Sequence, residues 1–257
     1  MVVVNCIAGQ RSNRLVVAAH AMATAIERGE TLRLTAFDEY KEDYVCKVCE
    51  GMRVFICGSH FWECVRLLDS AAKKIFRYKR LSIPHVLTLA SDWNYRDYES
   101  LSRCEDKVRD SFTPVNVVQP KKRIGELRRA DLHLIGVHIR RRDYKTFIGG
   151  RYYFDDSVYR REMQRVMDFW KDCVNKMFLV FSDENVDETS FAGLPCRFIH
   201  GTAVEDQWMM SQCDFLMGPP STFSAWASFM GRVPLARMWN KDYELKPEDF
   251  AYRGLVA

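Results

Sequence analysis

The period of the apolar positions changes repeatedly along this chain, and the changes predict alternating strands and helices. Val2 to Ile7 is a β-branched run closing at Gly9, and the spacing from about Leu15 to Glu27 predicts a helix that stops at Gly29. Leu32 to Thr35 reads as a second strand. Ser59 to Arg80 reads as a long helix with one apolar stripe and basic residues at its C-terminal end, as the helix dipole favours. Pro114 to Pro120 reads as a connector. The alternation is clearer beyond it, with strands at Leu132 to Ile139, Met177 to Phe181, Arg197 to His200, Phe215 to Met217 and Val233 to Met238. Helices are predicted from Asp155-Asp156 to about Trp170, from Ala203 to Cys213 and from Phe223 to Met230.

Strand and helix in alternation predict an α/β fold, with parallel sheets carrying helices on both faces. The arrangement expected is two Rossmann-like lobes facing a cleft, divided into residues 1–119 and 120–257. Ligands of such sheets bind beyond the carboxyl ends of the strands, so residues just past each strand carry the functional argument.

Composition narrows the classes. With 257 residues, 47% of them hydrophobic, the chain can build a substantial core. A net charge of +4 is mild, and the basic residues are scattered apart from Lys121-Lys122-Arg123 with Arg128-Arg129 and the run Arg140 to Arg142. That pattern argues against a nucleic-acid partner. No apolar stretch approaches the roughly 20 residues of a membrane span, which leaves at most peripheral membrane contact. Met1 to Ile7 is short and is followed by Arg11 and Arg14, as suits a first strand and not a signal peptide. Nine cysteines without a regular framework predict reduced thiols in a cytoplasmic protein.

Chemistry concentrates at the strand ends. His138-Ile139-Arg140-Arg141-Arg142-Asp143 delivers an imidazole, three guanidiniums and a carboxylate, and alternation points His138 and Arg140 to one side and Ile139 and Arg141 to the other. Guanidiniums keep their charge and present planar forks that match phosphate oxygens. A solvated basic turn braced by Asp143 is the plain alternative. Ser182-Asp183-Glu184 follows the next strand, and Gly218-Pro219-Pro220 bends into a helix opening with Ser221-Thr222, where backbone N–H groups and hydroxyls favour an anion. An N-cap alone would account for that pair equally. Ile7 to Leu15 sits where a phosphate loop would, but matches neither dinucleotide nor P-loop fingerprints. No Asp-x-Asp pair is present to bridge a divalent ion to a diphosphate, so neither metal nor cofactor is expected.

Taken in order, Gly-x3-Asn-Arg after the first strand, His-x-Arg-Arg-x-Asp, Ser-Asp, Asp-x7-Asp-Phe-Leu and Ser-Thr-Phe-Ser-x-Trp resemble the α-1,2, α-1,6 and protein-O-fucosyltransferase superfamily. The likeness is nearest to the bacterial-type α-1,2 enzymes and runs from Val3 to about Arg237. It implies a GT-B-like fold and metal-independent, inverting transfer of fucose from GDP-β-L-fucose to a glycan hydroxyl. It further implies that the N-terminal lobe serves the acceptor and the C-terminal lobe the donor. By the same resemblance Arg140 holds the β-phosphate, with Arg141 and Asp183 at the donor. His138 and Asp206 meet the guanine and ribose, Ser221 and Thr222 contact the diphosphate, and Asn13 lies near the reacting sugar. The chain departs from the family at Arg11-Ser12, Arg142 and Pro220. For the base, Asp143 is the first choice, although its arginine neighbours suit it equally to a strut. Asp38 and Glu39 are the other carboxylates considered.

Two further readings compete. The same fold could take another nucleotide sugar, or the chain could be a degenerate or RNA-associated binding protein. Cys46, Cys49, Cys57 and Cys64, with His60, could form a zinc site, but the second cysteine pair lacks the spacing and ordinary thiols fit better.

Overall fold

In the computed structural model of the chain the described residues are 2–5, 9–34, 43–46, 54–56, 87–90, 95–169 and 175–255. They divide into two compact units, Met1–Val115 and Asn116–Ala257.

In the first unit β1 (Val2–Asn5) lies between β2 (Leu32–Leu34) and β5 (Leu87–Ala90), and β4 (Val54–Ile56) pairs with β2. Every pairing in that sheet is parallel. A separate antiparallel ribbon joins β3 (Tyr44–Cys46) to β6 (Phe112–Pro114). Helix α1 (Arg11–Arg28) is buried continuously from Leu15 to Ala25, an apolar run broken only by His20 and Thr24, whose hydroxyl is bonded to Tyr95 and Asp97. It ends where expected: Gly29 adopts φ 61, and its N–H donates to the Ala25 and Ile26 carbonyls.

Two helices, one in each unit, lie outside the elements predicted from sequence. Helix α2 (Tyr98–Ser111) buries only Ser100, Leu101, Cys104, Val108 and Ser111, a stripe too narrow and too polar to stand out. Helix α3 (Val118–Leu127) begins inside the expected Pro114–Pro120 connector, because Pro120 falls in its first turn, where a missing N–H costs nothing. The true connector is Val115 to Val117, with Asn116 at φ 59. The expected long helix at 59–80 lies outside the described residues.

The second unit is built on a five-stranded sheet in the order β11-β10-β7-β8-β9, parallel throughout. These are β7 (Leu132–Ile139), β8 (Asn175–Ser182), β9 (Cys196–Ile199), β10 (Phe215–Gly218) and β11 (Leu235–Arg237). Helices α4 (Asp156–Phe169), α5 (Ala203–Met210) and α6 (Thr222–Gly231) intervene. Alternation along β7 and β8 sorts their side chains between two cores. Ile135, Val137, Ile139, Phe178 and Val180 pack with Val158, Tyr159, Met163 and Val166 of α4. Leu134, Leu179 and Phe181 pack with Ile124 and Leu127 of α3, Met209 and Met210 of α5, and Ala227 of α6. Helices therefore cover both faces, and a strand buried on both sides reads as an unbroken apolar run. Helix α5 stops at Met210, short of the expected Cys213. The chain turns there so that Asp214 can accept the Leu134 N–H (2.8 Å) and pair with Arg128 (2.7 Å).

Candidate active site

The central strand β7 comes first in its sheet. The chain lays β8 and then β9 to one side of it, returns across, and lays β10 and β11 on the other side. The loops leaving β7 and β10 therefore diverge, which opens a crevice at the carboxyl ends of these two neighbours.

Each side of that crevice presents groups named from the sequence. Strand β7 ends at Ile139, so Arg140 belongs to the loop, where its guanidinium pairs with Asp183 Oδ2 (3.0 Å) and Asp143 Oδ1 (2.7 Å). The two partners are unequal. Asp183 is only 14% exposed, like Arg140 itself, whereas Asp143 is 51% exposed and its pair is screened accordingly. Asp183 also accepts the Arg141 N–H through Oδ1 (2.9 Å), so a single carboxylate fixes both the backbone and the side chain of the paired arginines. The Arg141 side chain turns to Asp156 in the first turn of α4, the face to which Ile139 also points. The pair thus divides its work: Arg140 lies at the crevice and Arg141 ties the loop to the scaffold.

His138, the last inward residue on the opposite face, is buried and packs its ring on Phe223 of α6, with centroids 5.1 Å apart. Burial, with the Arg140 charge beside it, lowers its pKa to about 3, so the imidazole is neutral at physiological pH. Its buried Nδ1 has no hydrogen-bond partner. Gly218, at the end of β10, lies against the His138 backbone: a Cβ there would sit 2.6 Å from the His138 carbonyl oxygen. No larger residue lets the two strand ends come this close.

Across the crevice Ser221 caps α6, accepting the Phe223 N–H (3.2 Å), and Thr222 is the first helical residue. Asp206 lies one element away in α5. The start of that helix is already closed by a capping box of Thr202 and Glu205, so Asp206 is not needed there. It is 8% exposed, and its Oδ1 is buried beside Gly201 without a donor in full hydrogen-bond geometry. Burial first, then the Glu205 charge, raises its pKa to about 7, against a hydrogen bond from Gly201 and the Arg123 charge, which lower it. Gln207 beside it donates to the Phe223 carbonyl (3.0 Å), linking α5 to the α6 turn on which His138 rests.

Asn13 belongs to the first unit. It lies in the opening turn of α1 and folds back on Gly9, where φ is 73 and a Cβ would fall 2.0 Å from the Asn13 amide nitrogen. Asp38, Glu39, Cys49, Cys57, Cys64 and His60 lie outside the described residues. Sequence reasoning missed Tyr144, which is buried directly behind Arg140. The available signal was an aromatic residue next to an arginine motif, the pattern of a cation–π contact.

Glycosyl transferase family 11 has a sequence model that matches residues 78–249 of this chain. The chain belongs to that family. It is similar to the α-1,2-colitosyltransferase of Escherichia coli, at 28% identity over 157 residues. That match takes in 55% of this chain and 47% of the relative, so the chain spans about half the length of the curated relative it matches. Among solved structures, the fucosyltransferase NodZ from Bradyrhizobium superposes with a TM-score of 0.62 at 13% identity, covering 92% of this chain and 94% of that one. FUT1 of Arabidopsis thaliana in complex with GDP gives 0.60 at 14% identity, covering 98% of this chain and 73% of that one. At such identities the likeness is one of fold, the GT-B fold of fucosyltransferases. Among the described residues of this family 11 member, no helix is long and apolar enough to cross a membrane.

Proposed function

We propose that this family 11 protein transfers L-fucose from GDP-β-L-fucose to a hydroxyl of a glycan acceptor, with inversion and without a metal ion. The observation that carries this reading is the crevice between β7 and β10. There Arg140, anchored by Asp183, faces the start of α6, and the buried unsatisfied atoms of His138 and Asp206 lie on neighbouring elements. A guanidinium and a helix N-terminus are suited to a diphosphate. A buried carboxylate with an open oxygen can accept from the N1 and N2 edge of guanine, a donor pattern absent from uracil and adenine. The fold of NodZ, a fucosyltransferase also solved after soaking with GDP-fucose, supports the same donor.

Attack by the acceptor hydroxyl opposite the leaving group forms its bond to the anomeric carbon as the bond to the β-phosphate oxygen breaks. Charge then grows on the phosphate, where Arg140 and the α6 terminus stabilise it without a divalent cation. The transition state is dissociative, so no strong base is needed and the hydroxyl proton passes to water after the bond has formed. The second unit serves the donor, and the first unit, with Asn13, serves the acceptor and reacting sugar. The likeness to an α-1,2-colitosyltransferase favours one other donor sugar, colitose, carried on the same nucleotide. Thermal-shift measurements with GDP-fucose, GDP-colitose, GDP-mannose and UDP-sugars test the assignment: GDP-fucose should raise the melting temperature most. Transfer should persist in EDTA. A preference for a UDP-sugar, or activity that dies in EDTA and returns with manganese, would overturn the respective part.

Asp143 acts in this reading as a strut for Arg140 and not as the base. Its pair is half exposed, so Asp143→Asn should weaken GDP binding and turnover together by only about threefold to tenfold. Unchanged GDP affinity, with turnover down roughly 10²–10⁴-fold and the acid limb of the pH–rate profile gone, would make it the base instead.

A further inference from the structure

Tyr144 contacts both sides of the crevice. Its ring lies beneath the Arg140 guanidinium, 5.6 Å from carbon to centroid, and stacks on Phe147 at 5.4 Å and 27°. Its hydroxyl crosses to the other loop and donates to the Pro220 carbonyl at 2.6 Å. Pro220 immediately precedes Ser221, the N-cap of α6. The side chain is 7% exposed, so neither contact is exchanged freely for water. Burial keeps the phenol protonated, with its pKa above the ordinary tyrosine value, and so preserves it as a donor.

The hydroxyl also lies within hydrogen-bond reach of the Ser221 side chain, so both of its contacts fall at the start of α6. The aromatic ring fixes the cation from below, and the hydroxyl fixes the carbonyl that sets where the first turn of α6 begins. The separation and aim of the two anion-binding arms are thus coupled through one residue. An anion held by only one arm would not sense the coupling; an anion that touches both would.

We infer that Tyr144 is a positioning residue that holds Arg140 and the N-terminus of α6 at the spacing of a diphosphate, so that it selects a nucleoside diphosphate over a monophosphate. The inference rests on the reading of the crevice as the donor site. Phenylalanine fills the same volume and keeps the contact with Arg140, so Tyr144→Phe removes only the hydroxyl's links to Pro220 and Ser221 at the start of α6. Calorimetric titration of this variant should show GDP affinity reduced about fivefold to tenfold, with GMP affinity nearly unchanged. The KM for the donor should rise with it.

A merely structural tyrosine would lower the melting temperature and leave the GDP-to-GMP ratio where it was; that result overturns the inference. A double-mutant cycle gives a second reading. Thr222→Ala should cost less GDP affinity in the Tyr144→Phe background than in the natural chain, because α6 is no longer held against Arg140. Strictly additive losses would also overturn it. The donor-site reading is checked separately by Arg140→Lys. If that variant binds GDP normally, the reading of the site fails. If it binds GDP poorly while Tyr144→Phe matches the natural chain, only the role of Tyr144 fails.

Discussion

Arg140→Lys should lower turnover by on the order of 10²-fold or more, the largest effect expected of any conservative change in this chain. The guanidinium is held from two sides by Asp183 and Asp143 and from below by Tyr144, so its orientation is fixed before any ligand arrives. A group fixed in advance stabilises charge that develops during bond breaking at no cost in reorganisation. Lysine supplies the charge at one point on a flexible stem. It can keep at most one carboxylate contact, and it cannot stack on the tyrosine while reaching the phosphate. The loss should appear in kcat more than in KM, because charge on the β-phosphate oxygen is greatest in the transition state. Steady-state kinetics with saturating donor decide the matter: a kcat within a few-fold of the natural enzyme would remove Arg140 from the chemistry.

Asp206→Asn should cost roughly 10²-fold in GDP affinity and abolish discrimination against UDP. In the proposed site the ionised carboxylate would accept two hydrogen bonds from guanine, whereas an amide offers one oxygen and an opposing donor. The raised pKa of about 7 gives this prediction a signature in pH. Guanine requires the ionised form, so GDP affinity should climb as pH rises from about 6 to about 8. Binding near pH 6.5 should release protons, which calorimetry in two buffers measures. Both features should shrink in the asparagine variant to the part contributed by the terminal phosphate of GDP, which itself titrates near about pH 6.

Stability of the ligand-free protein should move the other way. Between the unfolded value near 3.8 and the folded value of about 7, the folded state holds more protons than the unfolded one. The contribution of Asp206 to stability is therefore full at low pH, falls as pH rises through that window, and stays low above it. Asp206→Asn should accordingly melt higher than the natural chain at pH 8, and with little difference at pH 4. Pre-existing pH-independent GDP binding in the natural protein would exclude the carboxylate from the base.

Much of the second unit was legible because its physics is one-dimensional. Leu132 to Ile139 is a strand buried on two faces, and such a strand announces itself as an apolar run with the functional residues waiting at its end. Gly29 stops α1 because only a residue without a Cβ takes φ 61 cheaply. The failures share a cause. Helices α2 and α3 hide because their buried stripes are narrow and partly polar, and because Pro120 punctuates a first turn as readily as a linker. At the site, the six-residue motif was visible but its division of labour was not. That Arg141 turns away to Asp156, that Asp183 outweighs Asp143, and that Tyr144 joins two loops separated by 76 residues are facts of packing between distant segments. No local pattern encodes them.

The order in which strands are laid beside β7 also bears on when this molecule becomes competent. Pairing β7 with β8 along eight residues joins segments that follow one another in the chain, whereas β10 must return across the whole of β8, β9 and their connections to reach the other edge. Closing so long a loop carries an entropic penalty that grows only logarithmically, but it makes the pairing a slow event, favoured only once the shorter-range contacts exist. The crevice lies on that late seam. A refolding chain would thus regain most of its strand structure before it could grip a nucleotide, and its recovery of binding would report the final step of assembly.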